Sequence, residues 1–247
     1  MNVDRMEKCL LNYRFSEEEG FLYGFNLYAM LNGKDVMLID TAFRSQAKQV
    51  KKDLTSKGLR LTHVLVTHFH PDHVAGLIAL DPEITVLGSP EYKKTLTKDI
   101  PQRVTPVSFS EGFQFGEFTL SFTPAPGHSA CSILIDINGK YLHAGDNLMS
   151  RYDGNAILPW VEYHELANHI SSLEMLKRMK RVRIILSHGP ELSGEEEIIR
   201  AIDDRLSYLK AVLNSAGRCS WVEAISGCSC NYTGREFFEQ LLAESVN

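Results

Sequence analysis

The eleven residues Thr67-His-Phe-His-Pro-Asp-His-Val-Ala-Gly-Leu77 constrain this chain more than any other stretch. His68 and His70 are two apart, so in an extended segment both imidazoles point to the same side and can face one ion. Pro71 discourages the segment from continuing as a strand. Asp72 and His73 follow at the start of an expected helix from Val74 to Leu80, where they can address a second ion beside the first. Gly76 would let that helix lie close to a neighbouring backbone. An isolated His-x-His is weak evidence of a site. Three histidines and an aspartate within six residues, directly after the apolar run His63-Val-Leu-Val-Thr67, are not explained by packing. Buried together without a cation, these groups would repel or remain unsatisfied.

The rest of the chain limits what such a site can serve. With 247 residues, 44% hydrophobic and 23% charged, the composition is that of a soluble globular protein. The expectation is a single domain over residues 1–247, with about 191–247 as a helical extension packed on it. A net charge of −5 does not favour non-specific binding to nucleic acid or to acidic membranes. No run approaches the roughly 18 apolar residues of a membrane span. Met1 to Lys8 is charged and leads into no long apolar run, so no signal peptide is expected. Five cysteines (Cys9, Cys131, Cys219, Cys228, Cys230) and no signal suggest reduced thiols in a cytoplasm. Cys228-Ser-Cys230 with Cys219 could hold a metal, but Cys-x-Cys is a poor structural-zinc spacing, and loop thiols are the plainer reading.

The order of elements shows a repeated plan. Asn26–Leu31 and Asp35–Asp40 read as strands about an Asn32-Gly33 turn. A helix capped by Ser45 runs to Lys57 and stops at Gly58. The strand Thr62–Thr67 then leads to His68. In the second half Ser132–Ile137 and Lys140–Ala144 flank Asn138-Gly139. Asp146 follows, a helix runs from about His164 to Met179, and the strand Val182–Leu186 leads to His188. Asn to Asp is eight residues in both halves. Between the halves, Ile84–Leu87 reads as a strand, Glu91–Lys98 as a short helix and Phe113–Thr123 as a hairpin turning at Gly116. Ser193 and Thr233 read as capping-box residues for two further helices, the first to about Asn214 and the last to Glu244.

His68-x-His70-x-Asp72-His73, Pro126-Gly-His128, Ala144-Gly-Asp146 and Ser187-His188-Gly189, in that order, resemble the motifs of the metallo-β-lactamase-fold superfamily. Leu38-Ile-Asp-Thr41 fits the same pattern, and the resemblance covers about residues 22 to 190. It implies an α/β fold, a four-layer αββα sandwich of two pseudo-repeated halves with two metal ions at one edge of the sheets. By motif position His68, His70 and His128 would hold one ion. Asp72, His73 and His188 would hold the other, with Asp146 between them. Asp40 would orient the metal loop. Asp at 146, where the zinc β-lactamases with a cysteine ligand carry Cys, points to the glyoxalase II and lactonase branch. Cys131 occupies no ligand position. His63, His143, His164 and His169 match no motif and read as structural or solvated; His164, following the loop over the site, is the exception to watch.

Five imidazoles and two carboxylates suit two Zn²⁺ ions, with iron or manganese also accepted. With zinc, a bound water can have its pKa lowered to about 7. A hydroxide shared between two ions, oriented by Asp72, would then cleave an ester, thioester, lactone or amide of a small molecule. No Ser/His/Asp arrangement calls for a protein nucleophile. Asn147, Tyr152, Asn155, Trp160 and His164 are candidate pocket residues. Acyl-homoserine lactonases typically carry a tyrosine shortly after the bridging Asp; here position 149 is Met and the nearest tyrosine is Tyr152. The alternatives are a mono-iron sulfur dioxygenase-like oxidoreductase using a subset of the ligands, a phosphodiesterase or ribonuclease, and a non-catalytic binding module. Against the nuclease stand the acidic balance and the lack of a basic arm. The expected partners are a small-molecule substrate and a second copy in a homodimer, with neither a membrane nor nucleic acid.

Overall fold

The computed structural model describes residues 1–16 and 23–245. Seven strands form the first sheet: β1 (Asn2–Arg5), β2 (Leu10–Phe15), β3 (Phe25–Asn32), β4 (Asp35–Ile39), β5 (Arg60–Leu65), β6 (Thr85–Gly88) and β7 (Val104–Pro106), side by side in sequence order. β1 to β4 are antiparallel, and β4 to β7 run parallel. The second sheet holds β8 (Phe113–Phe115), β9 (Phe118–Pro124), β10 (Ile133–Ile137) and β11 (Tyr141–His143) as antiparallel neighbours. After the short β12 (Ala156–Ile157), it is completed by β13 (Arg183–Ile185), parallel to β11, and β14 (Leu192–Ser193). β12 pairs instead with β15 (Tyr232–Thr233), far along the chain.

Side-chain alternation along the strands builds the layers. Met37 and Ile39 of β4 enter an apolar layer with Phe122, Ile133, Ile135 and Ile185, so the two sheets pack face to face. Val36 and Leu38 point the other way, to Ala47, Val50 and Leu54 of α1 (Arg44–Ser56). On the far face of the second sheet, Leu134, Leu142 and Ile184 meet Leu166 and Leu173 of α3 (Leu166–Arg178). The same layer takes Ile202 and Leu209 of α4 (Glu195–Asn214), with α5 (Trp221–Ile225) and α6 (Arg235–Glu244) beyond. Helix, sheet, sheet and helix follow in order: the αββα sandwich. The two halves also match in topology. In each, an antiparallel hairpin is followed by a helix and then a strand parallel to the hairpin's second strand.

Several local expectations are corrected. The first turn lies one residue later than Asn32-Gly33, because Asn32 still pairs with Asp35, leaving Gly33 (φ +62°) and Lys34 as the loop. Ser45 does not cap α1. The N-cap is Phe43, and the Ser45 hydroxyl is spent on Gln46 Oε1 at 2.7 Å. The helix after the metal loop begins at Pro71, as α2 (Pro71–Val74), and tightens into a 3-10 turn over Ala75–Ala79. Proline fits the first helical position because it needs no N–H partner there. Glu91–Lys98 forms only a 3-10 turn, Tyr92–Lys94. The N-caps of α4 and α6 are Gly194 and Gly234, not Ser193 and Thr233. The capping box that does form is Ser220 with Glu223. β1 and β7 carried too little alternation to be read in advance, whereas β2 alternates from Leu11 to Phe15 and was missed. Among the described residues no helix is long and apolar enough to cross a membrane.

Candidate metal centre

The ligand-type side chains come from chain segments that leave the same end of the two sheets. His68 and His70 follow β5, Asp72 and His73 open α2, His128 sits between β9 and β10, Asp146 follows β11 and His188 follows β13. Backbone hydrogen bonds join the sheets at this end. Asn26 N donates to Ser187 O at 2.8 Å, and Ile133 N to Thr67 O at 3.0 Å.

The residues gather into two groups, His68/His70/His128 and Asp72/His73/Asp146/His188, with ligand atoms in each within 4.8 Å of one another. Asp146 Oδ2 stands between them. It lies 3.3 Å from His73 Nε2, 3.4 Å from His188 Nε2, 3.6 Å from His128 Nε2 and 3.9 Å from His68 Nε2. Asp72 Oδ2 is 3.7 Å from both His73 Nε2 and His188 Nε2. All seven positions singled out in the sequence are therefore brought together.

The opposite ring nitrogens are anchored, which fixes which atom of each ring faces inward. His73 Nδ1 meets Asp40 Oδ2 at 2.8 Å, His128 Nδ1 meets Trp160 O at 2.9 Å and His188 Nδ1 meets Gly24 O at 2.8 Å. Asp40 also accepts from Thr67 N and Thr67 Oγ1, each at 2.8 Å, so one carboxylate ties β4 to the metal loop. Phe69 N donates to Cys131 Sγ at 3.3 Å, a support for the loop that sequence reading missed.

The electrostatics suit cations. Burial, the largest influence, pushes His68, His70 and His128 below the ordinary imidazole range, leaving neutral rings whose lone pairs can ligate. Burial also opposes charge on His73 and His188, but there Asp146, aided by Asp72 and for His73 by Asp40, outweighs it and raises both. Burial would raise Asp146, yet His188 and His73 hold it well below the carboxylate range. His128 Nε2 is 3.0 Å from His70 Nδ1 and 3.1 Å from His68 Nε2, a crowd of nitrogens that mutual hydrogen bonding cannot fully satisfy. Asp146 Oδ1 and His188 Nε2, both buried, have no hydrogen-bond partner among the described residues. Five imidazoles and two carboxylates so arranged fit two ions of the zinc, iron or manganese type.

A cavity of about 240 Å³ opens over these groups, lined by Tyr23, Pro71, Met149, Trp160 and Phe237 together with the ligand side chains. Trp160 is the one expected pocket residue there. Asn147 is buried and donates to Ala144 O, because the 3-10 turn Gly145–Asn147 rolls it inward. Tyr152 lies in a separate depression with Asn2, Arg14 and Ser16 and donates to Asn26 Oδ1 at 2.7 Å. Asn155 closes a turn with Asp153, and His164 is exposed beside Glu162. Neither lines the cavity. Tyr23, Met149 and Phe237 were missed. Phe237, on α6, reaches the cavity from almost fifty residues beyond His188, and no motif announces it. Among the described residues Cys219, Cys228 and Cys230 form no third ligand cluster.

Comparison with known proteins agrees with this geometry. A family model described as the metallo-beta-lactamase superfamily matches residues 26–188. An atrochrysone carboxyl ACP thioesterase of Paecilomyces divaricatus is 35% identical over 136 residues, 52% of this chain and 40% of that one. A beta-lactamase-like protein 2 homolog of Caenorhabditis elegans is 25% identical over 195 residues, 76% of this chain and 62% of its own. The chain thus spans about half the length of these relatives. Among solved structures, a metallo-beta-lactamase family protein of Thermus thermophilus superposes with a TM-score of 0.67 at 18% identity, covering 86% of this chain and 83% of that one. A metallo-beta-lactamase from Pontibacter korlensis gives 0.65 at 16%, covering 82% and 99%. These two likenesses speak to the fold.

Proposed function

The chain belongs to the metallo-beta-lactamase superfamily, and from that premise we propose that it is a metal-dependent hydrolase of a small acyl substrate, with a thioester as the foremost class. The observation that carries this reading is the meeting of two complete donor groups at Asp146 Oδ2 under an open cavity. A thioester is favoured over other acyl bonds because a relative covering half of this chain is named an ACP thioesterase.

Two bound cations would lower the pKa of a water and polarise a carbonyl. The chain's own residues supply the rest. His68, His70 and His128 would hold one side and Asp72, His73 and His188 the other, with Asp146 within reach of both groups. Asp72 is the less buried of the two carboxylates, with its side chain 17% exposed against 2% for Asp146. It is therefore the group that can orient the attacking water and take its proton. Trp160, Met149 and Phe237 wall the cavity and offer the substrate apolar contacts. Tyr23 keeps its proton, because burial first and the Asp72 and Asp146 carboxylates next push its phenol up; it is a neutral hydrogen-bond donor at the rim.

Elemental analysis of protein purified without added metal, followed by a panel of thioesters, lactones and esters, tests the proposal. About two zinc or manganese per chain with thioester turnover is the expected result. In His70→Ala, bound metal and activity should both be lost while the chain stays folded. Full turnover by that variant, or one iron per chain with oxygen uptake, would sink the reading.

A further inference from the structure

The geometry points to a binding groove for an aliphatic acyl chain, beside the metal centre between Phe43 at the start of α1, the segment 71–78 and the loop 96–101. The inference rests on the hydrolase reading and names the half of the substrate that gives it specificity.

The groove holds about 390 Å³, within the range of small-molecule sites. Phe43, Val74, Ile78, Leu96 and Ile100 supply its walls, with Pro71 at one end. Pro71 also lines the cavity over the ligands, so one ring borders both spaces. Pro71 directly follows His70, a member of the His68/His70/His128 group. A substrate carbonyl held on that side therefore places its acyl carbons against Pro71 and the groove beyond. Trp160 stands on this same side, its ring 5.1 Å from that of His70 and 5.7 Å from that of His128, so Met149 and Phe237 are the cavity residues left for the leaving group.

The lining decides the chemistry of the occupant. Thr97, Lys98 and Asp99 are the only polar side chains among the lining residues, and they are consecutive in one loop. A sugar, a nucleotide or a peptide backbone lying along the groove would find side-chain partners only at Thr97, Lys98 and Asp99 and would lose its water along the apolar walls without replacement. A hydrocarbon chain loses nothing polar and gains contacts with every wall. Ile78 is 64% exposed although it is a large aliphatic residue on a short helical turn otherwise packed inward. A bound chain would cover it.

The test measures kcat/KM of the metal-loaded full chain on straight-chain acyl thioesters of N-acetylcysteamine from two to twelve carbons. Binding of laurate is followed separately by displacement of a fluorescent fatty-acid probe. We expect kcat/KM to rise at least about tenfold from the two-carbon to the eight-carbon substrate, following the favourable burial of each methylene. Ile78→Asp, at an exposed site, and Leu96→Trp, which fills the groove, should each remove most of that rise and weaken laurate binding, leaving the two-carbon rate unchanged. A flat chain-length profile with no laurate binding overturns the inference. So does a wild-type dimer that Ile78→Asp converts to monomer while the profile is retained, since the groove would then join two copies of the chain. Laurate binding that the variants abolish, with no thioester turned over at any length, upholds the groove and defeats the thioesterase reading instead.

Discussion

Asp40 lies at φ +57°, a left-handed conformation that Asp and Asn tolerate better than other non-glycine residues. From there its carboxylate accepts from His73 Nδ1 and from both the amide and the hydroxyl of Thr67. Asp40→Asn keeps the backbone but replaces one acceptor oxygen with a donor. It should lower metal affinity about 10–100-fold, the usual cost of losing such an orienting partner; competition with a chelator reads it, and unchanged affinity would remove Asp40 from the site. His169 poses the opposite case. Both its ring nitrogens are buried without a partner among the described residues, and burial pushes its pKa down to about 4. With the folded value below the unfolded one, the unfolded chain binds more protons between about pH 6.5 and 4. Stability is thus full above that window and falls as pH drops through it, by about 3 kcal/mol at most for this one group. In urea unfolding of the metal-free protein at pH 7.5 and 5, His169→Leu should lose stability less steeply than wild type. Equal slopes would mean the ring is protonated in the folded state.

At the scale of elements, the centre depends on how closely the turn after the ligands lies on α1. A Cβ at Gly76 would stand 2.6 Å from Thr41 O and 2.7 Å from Ala47 Cβ, both fixed parts of the fold. Gly76→Ala should therefore destabilise by about 1–3 kcal/mol, the cost of overpacking a filled contact, and shift the segment carrying Asp72 and His73. A lower urea midpoint at unchanged slope checks the first effect, and weaker metal binding the second. Gly127 plays the same part for His128, because its own Cβ would fall 2.2 Å from His169 Cα on α3. Periodicity showed that α1 and α3 exist and which faces they bury. It did not show their caps, since Ser193 and Thr233 have the capping residue type but the glycine after each adopts the positive φ at which α4 and α6 start.

Across the whole molecule, the candidate ligands come from both halves of the sandwich, so ions bound there would join the two sheets. Ions that bind only the folded chain stabilise it by mass action, about 4 kcal/mol at a thousandfold excess over Kd. Chelation should accordingly lower Tm as well as abolish activity, and added zinc or manganese should restore both. A chelator that removed activity with no change in Tm would mean the ions do not join the halves. The C-terminal helix enters the same account through Phe237, which walls the cavity from α6. Phe237→Ala should raise KM several-fold with little change in kcat, the pattern for lost substrate contact rather than lost chemistry; a fall in kcat alone would place Phe237 elsewhere in the cycle.

The sequence by itself marked His68 to His73 as a candidate metal loop, while His128, Asp146, His188 and the sandwich were legible through the resemblance of their motifs to the superfamily. Metal ligands must be particular residue types at spacings that strand and turn geometry impose, and His68 to His73 record both in six consecutive positions. The alternating and helical periods likewise state which faces are buried before any partner face is known. Only the tertiary structure decided the cavity wall and the groove. Tyr152 and Asn155 stand close to Asp146 in sequence yet point elsewhere, whereas Tyr23 and Phe237 arrive from distant segments. A wall requires only bulk and shape, which many residue types supply. Its members carry no local pattern, and the packing of remote elements selects them.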